Sequence, residues 1–390
     1  MKISSRIEQL KPSATLAVNA KALDLKAQGK EIVSLAVGEP DFPTPEYVRD
    51  ACKRALDEGF TRYGAVPGLP ELRTAVANYF NLMYGTSARA EHTMVTNGGK
   101  QALFNLFQSL INPGDEVIIP APYWVSYPPM VQLAEGKPVF VRASADAGFK
   151  ITVEQLEAVC TEKTTMLLLN SPSNPTGAAY TRTELDAIAE WAINKGLFIV
   201  SDEIYDQLVY APAEHASLAP WWDKYPEQIC IVNGLAKSFA MTGWRIGYVL
   251  ANVDLIKAMS KIQGQSTSNV CSFAQKGAVA ALTGGFEVVD AMRASFRKRR
   301  DLAMSIIGKW PNVVCPVPEG AFYLFPDVHR LYNETYPDSA SLCTYLLEQA
   351  GVALVPGAAF GDDNCIRISY AVDEQTLETS LNKISRILFG

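Results

Sequence analysis

From about residue 95 the chain alternates between short runs of Val, Ile and Leu and longer stretches with helical spacing. The apolar runs are Glu116–Pro120, Pro138–Arg142, Met166–Asn170, Leu197–Ser201, Ile229–Asn233 and Arg245–Ala251, and Arg182–Lys195 is a helical stretch between two of them. A strand that is apolar at nearly every position is buried on both faces, and helices between such strands serve as parallel crossovers. The pattern therefore predicts an α/β fold with a mostly parallel sheet covered by helices. Leu255–Arg300 reads as long helices. After about residue 310, Ala321–Phe325, Val352–Val355 and Ile366–Tyr370 read as strands of a smaller α+β unit. Upstream, Lys11–Gly29 reads as a helix behind an exposed arm. Val33–Val37 follows it, and then the breaker cluster Gly38-Glu39-Pro40-Asp41-Phe42-Pro43, which suggests a chain crossing between two bodies. The expected organisation is an arm and small-domain segment over 1–45, a large domain over 46–295 and a small C-terminal domain over 296–390. The boundary falls near 285–305, inside a long connecting helix.

Composition narrows the function classes. A chain of 390 residues, 48% hydrophobic and 19% charged, belongs to a globular protein and is long enough to bury a core without crosslinks. The formal charge of −6 argues against a nucleic-acid binder. The densest basic run, Arg297-Lys298-Arg299-Arg300, reads as a solvated helix face. Seven cysteines without a C-x-x-C, an odd number, do not make a disulfide framework. Three histidines without ligand spacing do not make a zinc site. No apolar run reaches the ~18 residues of a membrane span. Met1–Leu10 lacks the apolar stretch of a secretory signal. The expectation is a cytoplasmic protein with no membrane, nucleic-acid or metal partner.

In an open α/β sheet, ligands bind beyond the carboxyl ends of the strands. The residues just after those ends are Ser171-Pro172-Ser173-Asn174-Pro175-Thr176-Gly177, Asp202-Glu203-Ile204-Tyr205 and Gly234-Leu235-Ala236-Lys237-Ser238, with Thr242-Gly243-Trp244-Arg245 before a further strand. Singly, each has a plainer reading: a turn Asn, an N-cap Asp, a surface Lys. Together they suit one chemistry. A lysine in an apolar place favours its neutral form, which condenses with an aldehyde. Pyridoxal phosphate further needs an acid at its pyridine nitrogen, donors at its ring oxygen, and a cation with backbone N–H groups at its phosphate. The substrate carboxylate suits an arginine fork. Asp202, the pair Asn174 and Tyr205, Arg245 and Arg367 are the candidates for these tasks. Asn97-Gly98-Gly99-Lys100-Gln101 ahead of an amphipathic helix is a candidate phosphate cradle, or an ordinary glycine turn. Trp124, after Pro120-Ala121-Pro122-Tyr123, falls on the same rim, where an indole stacks on a flat ring or simply fills the core. Neither a P-loop nor a G-x-G-x-x-G follows any strand.

Ser173-Asn174-Pro175-Thr176-Gly177, Ser201-Asp202-Glu203-Ile204-Tyr205 and the run Ala236 to Tyr248 resemble the class I, fold-type I pyridoxal-phosphate aminotransferases. The resemblance extends to Lys11–Thr15, Gly38–Phe42, Pro122–Pro128 and Ile366–Tyr370. It is nearest to the bacterial aspartate aminotransferases, in the subgroup with members that also use prephenate. It implies a seven-stranded large domain with a smaller α+β domain, pyridoxal 5'-phosphate as cofactor, and a homodimer with its sites at the interface. Amino acids and 2-oxo acids would be the substrates. Lys237 would bond the cofactor and shuttle the proton, and Asp202 would pair with the pyridine nitrogen. Tyr205 and Asn174 would hold the ring oxygen, and Trp124 would stack. Gly98, Gly99, Lys100 and Arg245 would surround the phosphate, and Tyr63 would reach the phosphate of the neighbouring subunit. Arg367 would clamp the α-carboxylate beside Gly38, and the substrate-binding set also includes Trp124 and Asn174. Members that hold an acidic side chain with a neighbour's arginine have it where this chain carries Gln263–Ser268, without a cation. Lys100 is then the candidate positive group, helped by Ser13 and Thr15, and Lys11 resembles a position tied to prephenate use. An aromatic or alanine aminotransferase, or a lyase or decarboxylase on the same scaffold, stays open. A transcription regulator on this fold would need an N-terminal DNA-binding domain, for which Gly38–Phe42 begins too early.

Overall fold

The computed structural model describes residues 3–8, 10 and 14–390. Its strands are β1 (Val33–Ser34), β2 (Thr93–Asn97), β3 (Glu116–Ala121), β4 (Lys137–Arg142), β5 (Thr164–Asn170), β6 (Phe198–Asp202), β7 (Ile229–Gly234), β8 (Ile246–Leu250), β9 (Tyr323–Leu324), β10 (Val352–Ala353), β11 (Val355–Pro356) and β12 (Ile366–Ser369). Seven of them form one sheet in the order β2-β8-β7-β6-β5-β3-β4. The pairings β3–β4, β3–β5, β5–β6 and β6–β7 are parallel, while β8 runs antiparallel to both β2 and β7. The sheet is thus mostly parallel, and the carboxyl ends of β2, β3, β5, β6 and β7 share one edge with the start of β8.

Alternate residues of the central strands feed two separate cores. Leu167, Leu169, Ile199 and Ile231 pack on one face with helix Arg182–Asn194. Met166, Leu168, Val200 and Val232 pack on the other with helix Gly99–Leu110. Apolar residues at both parities are what a sheet covered on both faces requires. Each fully buried side chain of this kind contributes about 1.5–3 kcal/mol.

A further core gathers Leu35, Phe296, Phe322, Leu324, Val352, Ile366, Ile368 and the inner face of the C-terminal helix Glu374–Phe389. Antiparallel β11-β12-β9 and the parallel pair β1–β10 lie in this part. Helix Glu287–Ile307 bridges the two regions. Val289 packs in the sheet core, while Met292, Phe296, Ala303 and Ile307 pack in the other.

Two features differ from the sequence reading. β2 was not among the apolar runs, because Thr93, Thr96 and Asn97 break its pattern; Thr93 and Thr96 are nonetheless buried, bonded through their hydroxyls to backbone carbonyls. The long helices expected over 255–300 are present, as Val253–Ser266, Ser272–Thr283 and Glu287–Ile307. The basic run is only half solvated: Arg297 and Lys298 are exposed, whereas Arg299 and Arg300 are buried. Neighbouring helix positions diverge by about 100°, so four consecutive residues cannot share one face. Arg299 pairs with Asp41, and Arg300 with Asp301 and the Pro318 carbonyl. Among the described residues no helix is long and apolar enough to cross a membrane, and no group of three or more His, Cys, Asp or Glu is placed to hold a metal.

Candidate active site

A cavity of about 1030 Å³ opens over the shared edge of the sheet. Gly38, Gly99, Lys100, Trp124, Asn174, Asp202, Tyr205, Lys237, Arg245 and Arg367 all line it. Topology brings them together. Asn170 at the end of β5 is in register with Asp202 at the end of β6, and Gly234 at the end of β7 lies beside Gly247 of β8. Asn97 at the end of β2 is in register with Ile246, next to Arg245. Side chains scattered over the sequence from Asn97 to Arg245 therefore meet on one rim.

Asp202 and Lys237 form the polar floor. Asp202 is buried, and each carboxylate oxygen accepts one bond, from the Tyr127 hydroxyl (2.7 Å) and from the Ile204 amide (3.2 Å). Burial pushes its carboxyl up to about 6, against the pull of those two donors. Lys237 sits half-buried, its amine donating to the Gly38 carbonyl at 2.5 Å. Burial draws that amine down to about 8, so a sizeable neutral fraction exists near neutral pH. A nucleophilic amine and a charge-ready carboxylate thus share one cavity.

The anion-binding groups lie on two sides. Helix Gly99–Leu110 begins at the rim, and Gly98 before it has φ 81°. A Cβ on Gly98 would come within 2.6 Å of the Arg245 guanidinium, so glycine is required for that approach. The free N–H groups of a helix start beside an arginine suit a phosphate. Arg245 is anchored to the Thr242 carbonyl at 3.0 Å. The Lys100 amine lies 5.0 Å from the centre of the Trp124 ring, and burial followed by the nearby Arg245 lowers its basicity. Across the cavity, Arg367 on β12 is buried, its guanidinium donating to Asn174 Oδ1 (2.9 Å) and the Ala36 carbonyl (2.7 Å), over the Tyr323 ring. Its Nε has no partner among the described residues, an unusual state for a buried donor. The Tyr205 hydroxyl meets that of Tyr323 at 2.9 Å.

With this geometry in hand, comparison with known proteins is decisive. Residues 30–384 match the family model described as aminotransferase class I and II. The chain belongs to that family. It is 44% identical to the aspartate aminotransferase of Streptomyces avermitilis over 99% of this chain and 96% of that one. It is 45% identical to the aspartate/prephenate aminotransferase of Cereibacter sphaeroides over 100% and 99%. The solved aspartate aminotransferase of Thermus thermophilus with maleate superposes with a TM-score of 0.94 at 44% identity, covering 100% of both chains. The fold is that of the fold-type I aminotransferases, and pyridoxal 5'-phosphate is the family's cofactor.

Two of the residues singled out in the sequence do not line the cavity. Tyr63 is 93% exposed, and Gly98 is next to the lining residue Gly99. Lys11 falls outside the described residues, as does Ser13, and the Thr15 side chain is likewise not described. Other residues at the aminotransferase site escaped the sequence reading. Tyr127 donates to Asp202, and Asn170 accepts from the Asn174 amide while donating to the Asp202 carbonyl. Tyr323 lies under Arg367 and against Tyr205. Nothing local distinguishes Tyr127 from Tyr123 four residues earlier. The only available signal was its presence in Pro122–Pro128, which already carried the resemblance.

Proposed function

We propose that the chain is an aspartate aminotransferase, moving the amino group of L-aspartate to 2-oxoglutarate in two half-reactions, with prephenate as a further acceptor. The observation that carries this reading is the convergence of Lys237, Asp202, Arg245 and Arg367 on one cavity. The full-length similarity to aspartate and aspartate/prephenate aminotransferases supports the substrate class.

The residues present fit pyridoxal phosphate. Asp202 is a buried carboxylate with no cationic partner within hydrogen-bonding reach among the described residues, a place a protonated pyridine nitrogen would satisfy. Arg245 with the Gly98–Gly99 backbone and Lys100 would hold the phosphate, and the Gly98 contact leaves no room there for a side chain. Tyr205 and Asn174 would hold the ring oxygen and Trp124 would stack on the ring. When bound, the cofactor supplies an electron sink for the electrons left when the amino acid loses its Cα proton.

The chain's own groups do the rest. Arg367 receives the α-carboxylate in its fork, with Asn174 and the Gly38 backbone beside it, and so orients Cα. Lys237, once its amine is free, takes the proton from Cα and returns it on the other side of the exchange. Its lowered basicity suits it to act in both directions near neutral pH. Lys100, a point charge at the cavity, attracts the side-chain carboxylate, with a contribution from Lys11. Residues 46–295 form the cofactor-binding domain, with 1–45 and 296–390 supplying the smaller one. The working unit is a homodimer, with the exposed Tyr63 reaching the phosphate site of the second copy.

The test is the absorption spectrum of the pyridoxal-phosphate holoenzyme titrated with L-aspartate and no oxo acid. A stoichiometric shift of the cofactor band with release of oxaloacetate is expected. A band that ignores aspartate and responds to tyrosine or alanine would overturn the aspartate assignment. Failure to take up the cofactor would overturn the whole reading.

A further inference from the structure

The segment 36–44 is a strap whose residues Val37, Gly38 and Glu39 line the cavity, and every few residues it is tied to another part of the molecule. The Ala36 carbonyl accepts from Arg367 Nη2 at 2.7 Å and the Gly38 carbonyl from Lys237 Nζ at 2.5 Å. The Glu39 carboxylate accepts from the Thr242 hydroxyl at 2.8 Å. Thr44 donates to the Ala240 carbonyl (2.8 Å) and accepts from the Trp244 indole (3.0 Å). Four of these ties go to the loop that carries Lys237 and Arg245, and that of Ala36 goes to β12. One more reaches a third part of the chain: both oxygens of Asp41 accept from Arg299, at 2.7 and 3.0 Å. Arg299 is on the bridging helix, in the part packed in the core that also holds β12. Its guanidinium lies 5.0 Å from the centre of the Phe42 ring and 5.4 Å from that of Phe296.

We propose that the Arg299–Asp41 pair is a positioning device for the reaction, holding the strap so that the Gly38 carbonyl stays on the Lys237 amine. This rests on the aminotransferase reading. The two-pronged bond fixes direction as well as distance, which a lysine at 299 cannot do. The pair is three residues from Gly38, and the intervening Pro40 limits how far the backbone can absorb a change. Gly38 itself is confined, since a Cβ there would lie 3.0 Å from the Tyr323 hydroxyl. Burial and the Arg367 and Arg245 guanidiniums favour the neutral Lys237 amine, whereas the Gly38 carbonyl held on it, the Glu39 carboxylate of the same strap and Asp202 favour its charged form. Loss of the strap's alignment therefore lowers the pH at which the amine becomes neutral.

Two variants of the full chain test this: Arg299→Lys, which keeps the charge and loses the fork, and Asp41→Asn, which keeps the shape on the more exposed side of the pair. In cofactor-free protein, amide hydrogen exchange over residues 36–42 is expected to quicken about tenfold, with the sheet strands unchanged. The pH midpoint for pyridoxal-phosphate capture is expected to fall by about half a unit in both variants, with Asp41→Glu restoring it. A lowered melting temperature with unmoved exchange in the strap and an unmoved midpoint would reduce the pair to a structural staple and overturn the proposal. Should Arg299→Lys fail to fold, Asp41→Asn decides alone. The exchange measurement needs no cofactor. If even the unaltered chain captures none, the functional reading fails while the strap is still judged.

Discussion

The two sides of the cavity are built differently. On the sheet side, Asp202, Lys237 and Arg245 stand at the edge of seven paired strands, and their spacing follows from register. On the other side, Arg367 stands on the four-residue strand β12, held by one side chain and one carbonyl from distant parts of the chain. The proposed cofactor ligands thus belong to a frame set by backbone pairing. The proposed substrate ligand belongs to a strand of the second core, and its guanidinium is aimed by a few long-range bonds. Variants on the two sides should consequently fail in different ways.

The largest expected effect is Lys237→Ala, which removes the nucleophile and the proton carrier together. Turnover should fall by about 10⁴-fold or more, and free methylamine should restore part of it. Stopped-flow half-reactions with aspartate read this directly. Next comes Arg367→Lys, on the other side, which loses the fork but keeps the charge. A fall of about 100-fold in kcat/KM for every amino donor is expected, carried largely by KM, with cofactor affinity unchanged. A parallel loss of cofactor affinity would erase the distinction between the two sides. The smallest effect sharpens it. In the cofactor-free chain Asp202 loses its charge as pH falls through about 6, so cofactor affinity should drop there. Tyr127→Phe removes a donor that favours the charged form, and it should raise that midpoint by about one unit while leaving KM for aspartate in place. Equilibrium dialysis of the cofactor across pH 5–8 measures it.

The same contrast governs what could be read in advance. The sheet side was legible because its strands are apolar at both parities and its chemistry-bearing residues follow strand ends, where an open α/β sheet places its ligands. β2 was the exception, since its buried threonines are satisfied by backbone carbonyls that only the folded chain supplies. The other side was legible only in part: its strands stood out as apolar runs, but Arg367 was a candidate by residue type alone, and its role came from the resemblance. Arg367 has nothing in its neighbourhood to set it apart, because its partners Asn174 and Ala36 are far away in sequence. Arg299 and Arg300 were misread for a related reason. A run of charge looks solvated until the helix phase and a distant carboxylate are known.

Arg245 departs from its ordinary backbone preference. It sits in the left-handed region, φ 59° and ψ 50°, where a residue with a Cβ is strained by roughly 1 kcal/mol or more. Selection for thermal robustness alone would therefore drive this position towards glycine or asparagine. Selection for growth that depends on the reaction would hold it as arginine. A library at this one codon, sorted once for melting temperature and once for turnover, should diverge, which would make residue 245 a local record of how far heat resistance has been traded against chemistry.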